Sequence, residues 1–196
     1  MKTTAAFILL LSPAASIAFG FSDVHYWVGT GSNRAALVID WVTGPGPRSV
    51  AIGYRFDGQK TGRDMLDAMS KMQRSITYVL VPGVPYTAVF GIGYDRNGGG
   101  LDPVDPGDSY AEGWFTSGFW GYYEGTTTSE TLGGWKFADS GFQDRLLVDG
   151  SWDGWAWAPE FSGSSPATPV AVPEPASLAM VVTGLVFLTK RKFLRD

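Results

Sequence analysis

Hydrophobic and polar positions alternate with a period of two along Ser49-Val50-Ala51-Ile52-Gly53-Tyr54-Arg55-Phe56 and stop at Asp57-Gly58. The alternation predicts a strand with one buried face. Residues 24–28 and 35–42 are dominated by β-branched and aromatic side chains and flank Gly29-Thr30-Gly31-Ser32-Asn33, a run of turn formers. Two strands joined as a hairpin are expected there. Past Thr43-Gly44-Pro45-Gly46-Pro47 and the strand over 49–56, the period changes to a helical one: Met65, Leu66, Met69 and Met72 fall on one face. Thr61 stands where an N-cap would, with Asp64 three residues on, so the spacing predicts a helix over about residues 62–73 that packs its apolar face on the sheet. Strand character resumes over 76–81 and 86–94, joined through Pro82-Gly83-Val84-Pro85. From Trp114 onward aromatics arrive in pulses: Phe119-Trp120-Gly121-Tyr122-Tyr123, then Trp135-Lys136-Phe137, then Trp152-Asp153-Gly154-Trp155-Ala156-Trp157. They read as short strands, with residues 145–151 as a further strand turning into the last of them. The expected class is α+β, mainly antiparallel β with one helix.

Composition narrows the chemistry. The chain has no cysteine, which excludes disulfides, thiol catalysis and Cys-ligated metal. Between residues 19 and 172 there are 10 Lys and Arg against 17 Asp and Glu, a net charge of −7. Such a surface repels nucleic acid and favours cationic or neutral partners such as glycans. All 8 Trp lie in that stretch, a composition that suits twisted sheets and sugar-stacking surfaces alike.

The two ends differ from the middle. Lys2, the apolar run 5–11 and small residues at Ser16-Ile17-Ala18 or Ala18-Phe19-Gly20 form the pattern of a cleavable signal peptide over residues 1–20. Residues 21–161 are left as one extracytoplasmic domain, followed by a Ser-, Pro-, Ala- and Thr-rich flexible linker over 162–171. The tail, 172–196, opens with Val172-Pro173-Glu174-Pro175, whose two prolines stop helix and sheet alike. An uncharged run over 176–189 then reads as an apolar helix of about fourteen residues, shorter than the roughly twenty of a comfortable membrane span. Lys190, Arg191 and Lys192 follow as a basic stop that holds the far end on the cytoplasmic side.

In the order Pro173-Glu174-Pro175, short apolar helix, basic cluster, this tail resembles the PEP-CTERM sorting signal of Gram-negative, exopolysaccharide-producing bacteria. The resemblance implies that an exosortase, a membrane-embedded cysteine transpeptidase, removes the tail after signal peptidase has removed the other end. The protein would be anchored in the inner membrane in transit and then reside at the cell surface or in the extracellular matrix, among exopolysaccharide. A second set of segments, Thr61-Gly62-Arg63-Asp64-Met65-Leu66-Asp67-Ala68-Met69, Gly118-Phe119-Trp120-Gly121-Tyr122-Tyr123 and Leu147-Val148-Asp149-Gly150-Ser151-Trp152, is similar in order to the small α+β module at the C-terminus of transcobalamin-like proteins. That likeness implies capture of a small ligand of the cobalamin type; where the family has Asn-Gly after its aromatic strand, this chain has Glu124-Gly125.

Candidate chemistry in the middle of the chain is limited. Asp95, Asn97 and Asp102, set among glycines, are spaced like the start of a calcium loop, although Gly99 and Pro106 stand where further oxygen ligands would be expected. Trp155 and Trp157 share one face of the last strand. With Trp120 and Tyr122, they either close the core or form a platform that stacks a sugar chain. A small glycan hydrolase would need two facing carboxylates, for which Glu112, Glu124, Glu130 and Glu160 are available. His25, the single histidine, rules out a multi-His metal centre, and no Gly-x-Ser-x-Gly elbow accompanies it. The chain is therefore expected to be a non-catalytic interaction module.

Overall fold

The computed structural model describes residues 19–169, apart from 45–47, 73–75, 84–87, 97–99, 102–104 and 116. Within them the chain is mainly β with one α-helix. The elements run β1 (Trp27–Gly29), β2 (Asn33–Asp40), β3 (Ser49–Phe56), α1 (Gly62–Met72), β4 (Ile76–Leu80), β5 (Val89–Tyr94), β6 (Ser109–Glu112), β7 (Gly118–Gly125), β8 (Trp135–Phe137) and β9 (Ser151–Pro159). A six-stranded mixed sheet has the order β1-β3-β2-β9-β7-β8, and a three-stranded antiparallel sheet the order β4-β5-β6. No helix among the described residues is long and apolar enough to cross a membrane.

The hairpin expected between the first two strands does not form. β1 pairs with β3 in parallel, and β3 pairs antiparallel with β2, so β3 lies between them. The linking residues cross the end of β3 instead of folding back on themselves. Gly31 has φ 145 and passes so close that a Cβ there would lie 2.2 Å from the Phe56 carbonyl carbon. Only glycine fits that crossing. Ser32 then fastens it, donating from its backbone N–H and its hydroxyl to Asp57 Oδ1, each at 3.0 Å.

The helix forms as its cap dictates. Thr61 N–H donates to Asp64 Oδ2 at 2.9 Å and Asp64 N–H to Thr61 Oγ1 at 3.2 Å, a reciprocal capping box. Met65, Leu66 and Met69 are fully buried. They enter a core built on one face of the large sheet from Leu37, Ile39, Ile52, Tyr54, Trp120, Tyr122, Trp155 and Trp157, closed from the other side by Ile76, Val89, Ile92 and Tyr94 of the small sheet. Trp41 ties the two sheets, its indole N–H donating to Ile92 O at 2.8 Å. A smaller core on the opposite face joins Ala36, Val38, Ala51 and Trp152 to Phe21 and Val24 of the entering chain. Among the described residues these two cores give residues 19–169 a hydrophobic interior of their own, as a domain that folds alone has.

Two further expectations are corrected. Residues 145–150 form no strand; Leu146 makes an isolated bridge with Thr61, and Asp149 and Gly150 bond to the backbone of Arg34. Residues 162–169 lack regular structure, but they are not a free stalk: Pro166 and Pro169 are buried. The N–H of Ala167 donates to Asp40 Oδ2 at 2.8 Å. Asp40, itself fully buried, also accepts from Val42 N–H at 2.8 Å and pairs with Arg48 at 3.3 Å. One carboxylate thus straps the end of the domain to the sheet.

Candidate functional site

Three directly opposed pairs line up on the inner face of β7 and β9: Trp120 with Trp157, Tyr122 with Trp155, and Glu124 with Asp153. The alternation of side chains across paired strands puts them there. The rings touch, with centroids 5.7 Å apart for Trp120 and Trp157 and 4.8 Å for Tyr122 and Trp155. Phe142 meets Trp155 edge-on at 5.3 Å. Trp120, Tyr122, Trp155 and Trp157 retain 4–7% exposure, so they close the core and do not present a flat platform to water.

Three of the four nevertheless reach an opening. Trp120, Tyr122 and Trp155 form the floor of a cleft of about 470 Å³ whose walls include Val89, Trp114, Phe115, Phe119, Phe137 and Phe142. At its rim Phe115 is 65% exposed and Phe137 61%, and Phe161, stacked beside Phe115, is 47% exposed. Phe161 lies between Phe115 and Phe119 in a stacked row, with centroids 6.0 and 6.2 Å away. Phe115, Glu160 and Phe161 adopt φ of 56°, 52° and 63°, left-handed values that are strained for bulky side chains. The fold accepts that strain and leaves phenyl rings in water beside the cleft. Phe115, Phe119, Phe137 and Phe161 are not among the residues the sequence marks for binding. Phe119 alternates with Trp120 along β7 yet both border the cleft, so the alternation of side chains gives no cue to it.

Beneath the floor lies a charged cluster. Asp153 is fully buried and accepts from the Tyr122 hydroxyl. Arg145 Nε sits 3.6 Å from Asp153 Oδ1 and 3.4 Å from Glu124 Oε2, distances of ion contact without hydrogen bonds, since Arg145 Nε and Asp153 Oδ1 make none. Lys136 Nζ continues the chain outward, 3.5 Å from Glu124 Oε2 and 2.6 Å from Asp139 at the cleft rim. Burial pushes the Asp153 carboxyl up to about 6, against the pull of the Tyr122 hydrogen bond and the Arg145 charge. Burial, then the Asp153 charge, pushes the Tyr122 hydroxyl far above the usual phenol range, so it stays a donor. Gly62 is indispensable to this arrangement, because a Cβ there would lie 2.4 Å from the Tyr122 hydroxyl and 2.9 Å from Asp153 Oδ2.

The remaining candidates are dispersed. Glu112 accepts from Tyr110, Glu130 pairs with Arg34, and Glu160 lies in the turn after β9. No two of the four glutamate carboxylates share a hydrogen-bond or ion-pair partner among the described residues. Glu124 shares Arg145 with Asp153 and Lys136 with Asp139. His25 is exposed. Of the calcium candidates, Asp95 is buried and its Oδ2 accepts from Gly100 N–H at 2.8 Å; Asn97 and Asp102 lie outside the described residues. Among the described residues no three His, Asp or Glu side chains converge on a metal position. Pro173, Glu174, Pro175, Lys190, Arg191 and Lys192 also lie outside the described residues, as do residues 1–18 of the signal expected over 1–20; of its last two residues, Phe19 meets Trp152 edge-on at 6.2 Å and Gly20 bridges to Thr131. Compared with family models, with curated proteins and with solved structures, the chain matches none.

Proposed function

We propose that this chain is an exported surface or matrix protein, delivered by an exosortase-type system, whose β-rich domain is a non-catalytic interaction module in the exopolysaccharide layer. The sorting half rests on the tail, Pro173-Glu174-Pro175 followed by an apolar run and Lys190-Arg191-Lys192, with signal peptidase acting at the other end. The interaction half rests on one observation: strained backbone holds Phe115 and Phe161 in water beside a cleft floored by Trp120, Tyr122 and Trp155. Exposed rings beside a concave apolar site are the usual mark of a binding surface.

The carboxylates favour the same reading over a hydrolase. Glycoside hydrolysis needs substrate and water between two carboxyl groups. Between Glu124 and Asp153 stands Arg145, and Asp153 is sealed from solvent.

The test is made in a host with an exosortase. Wild-type chain should lose its tail and co-purify with the exopolysaccharide, whereas Pro173→Ala with Pro175→Ala should keep the tail and stay in the membrane fraction. An identical mature mass for both chains, or wild-type protein washing free of the polymer, would reject the corresponding half.

A further inference from the structure

We infer that the cleft is a pocket for an uncharged, apolar small molecule, aromatic or acyl in character. The inference rests on reading the cleft as a binding site and names its ligand class. Its volume of about 470 Å³ falls inside the range of roughly 300–1,000 Å³ typical of small-ligand sites.

The chemistry of the lining selects the class. The indole N–H of Trp120 donates to Ala111 O at 3.1 Å, and the Tyr122 hydroxyl donates to Asp153. Two of the three floor residues, Trp120 and Tyr122, therefore turn their polar atoms away and show carbon to the cleft. The rim acid, Asp139, is paired with Lys136 at 2.6 Å, so neither a cation nor an anion finds a free counter-charge among these residues. A bare polyol on this floor would give up water without recovering its hydrogen bonds there, a loss that an apolar group does not suffer. Aromatic and acyl groups bury against rings with nothing left unpaired. The rim rings of Phe115 and Phe137, both mostly exposed, would close over such a ligand and lose their own contact with water.

The experiment uses residues 19–169 and a neutral apolar probe, N-phenyl-1-naphthylamine, followed by its fluorescence. Saturable binding at about one probe per chain is expected, weakened at least about tenfold by Phe115→Ala with Phe137→Ala. Both side chains are mostly exposed, so near-UV circular dichroism should show an intact fold. Ser140→Trp, at an exposed position of the rim, should block the mouth and weaken the probe similarly without removing any ring. Non-saturable uptake, or binding indifferent to all three changes, would overturn the inference. Polymer retention without probe binding would overturn it while leaving the interaction module standing. Probe binding without polymer retention would support it and sink the polysaccharide reading instead.

Discussion

Replacing Asp153 by Asn should flatten the pH dependence of stability between about pH 4 and pH 6. The wild-type carboxyl is held up to about 6 against 3.8 for a free one, chiefly because the side chain is fully buried. In that interval the folded chain binds more protons than the unfolded chain, so the free energy of unfolding falls as pH rises. The stabilisation is complete below 3.8 and is lost as pH climbs through 6. A displacement of about two pH units at about 1.36 kcal/mol each gives roughly 3 kcal/mol. For a domain of about 150 residues that moves the thermal midpoint by roughly 6–12 °C. Asp57 and Asp139 are shifted downward and lie at the surface; any effect of theirs has the opposite sign and falls below 3.8, outside the interval. Asn keeps an oxygen for the Tyr122 hydroxyl while removing the charge, which isolates the titration. The assay is urea unfolding followed by tryptophan fluorescence across the interval. Equal slopes for the wild type and Asp153→Asn would refute the argument, since the titration would then belong to another group.

Two further substitutions probe the architecture. Asp40→Ala should cost about 2–3 kcal/mol by leaving the Ala167 and Val42 N–H groups and Arg48 without their acceptor, and should speed amide exchange at Ala167; an unchanged exchange rate would mean the strap is held by its prolines alone. Gly31→Ala should cost at least about 2 kcal/mol through its clash with Phe56, against about 1 kcal/mol for Gly58→Ala, where φ is also positive but the space is open; equal costs in urea unfolding would show that the crossing over β3 can relax.

What the sequence revealed was local. The capping box at Thr61 and Asp64, the buried stripe of Met65, Leu66 and Met69, the alternation along β3, and the shared face of Trp155 and Trp157 each depend on neighbours a few residues apart. Which strand lies beside which depends on the whole chain, and there the expectation of an initial hairpin failed: Gly29 to Asn33 has the composition of a tight turn, but the same glycines also permit a crossing. The cleft was hidden for a similar reason. Its lining comes from residues 88, 89, 114, 115, 119, 120, 122, 137–142 and 155, far apart in the chain, and the charged cluster joins Glu124, Lys136 and Asp153 on three strands to Arg145 on a loop. The linker composition of 162–169 was equally uninformative, because the contact that seats it, with Asp40, lies 127 residues away in the chain.

The placement of β2 in the large sheet bears on the order of folding. One of its edges is occupied by β3, its close follower, but the other waits for β9 in parallel register, with Ala35 opposite Ser151 and Asp40 opposite Ala156. Such non-local, parallel pairing makes for high contact order and slow assembly, on the order of milliseconds to seconds. As the polypeptide emerges, its first hundred residues leave the edge of β2 that takes β9 and the edge of β5 that takes β6 without partners. The structure closes only when its last strand arrives.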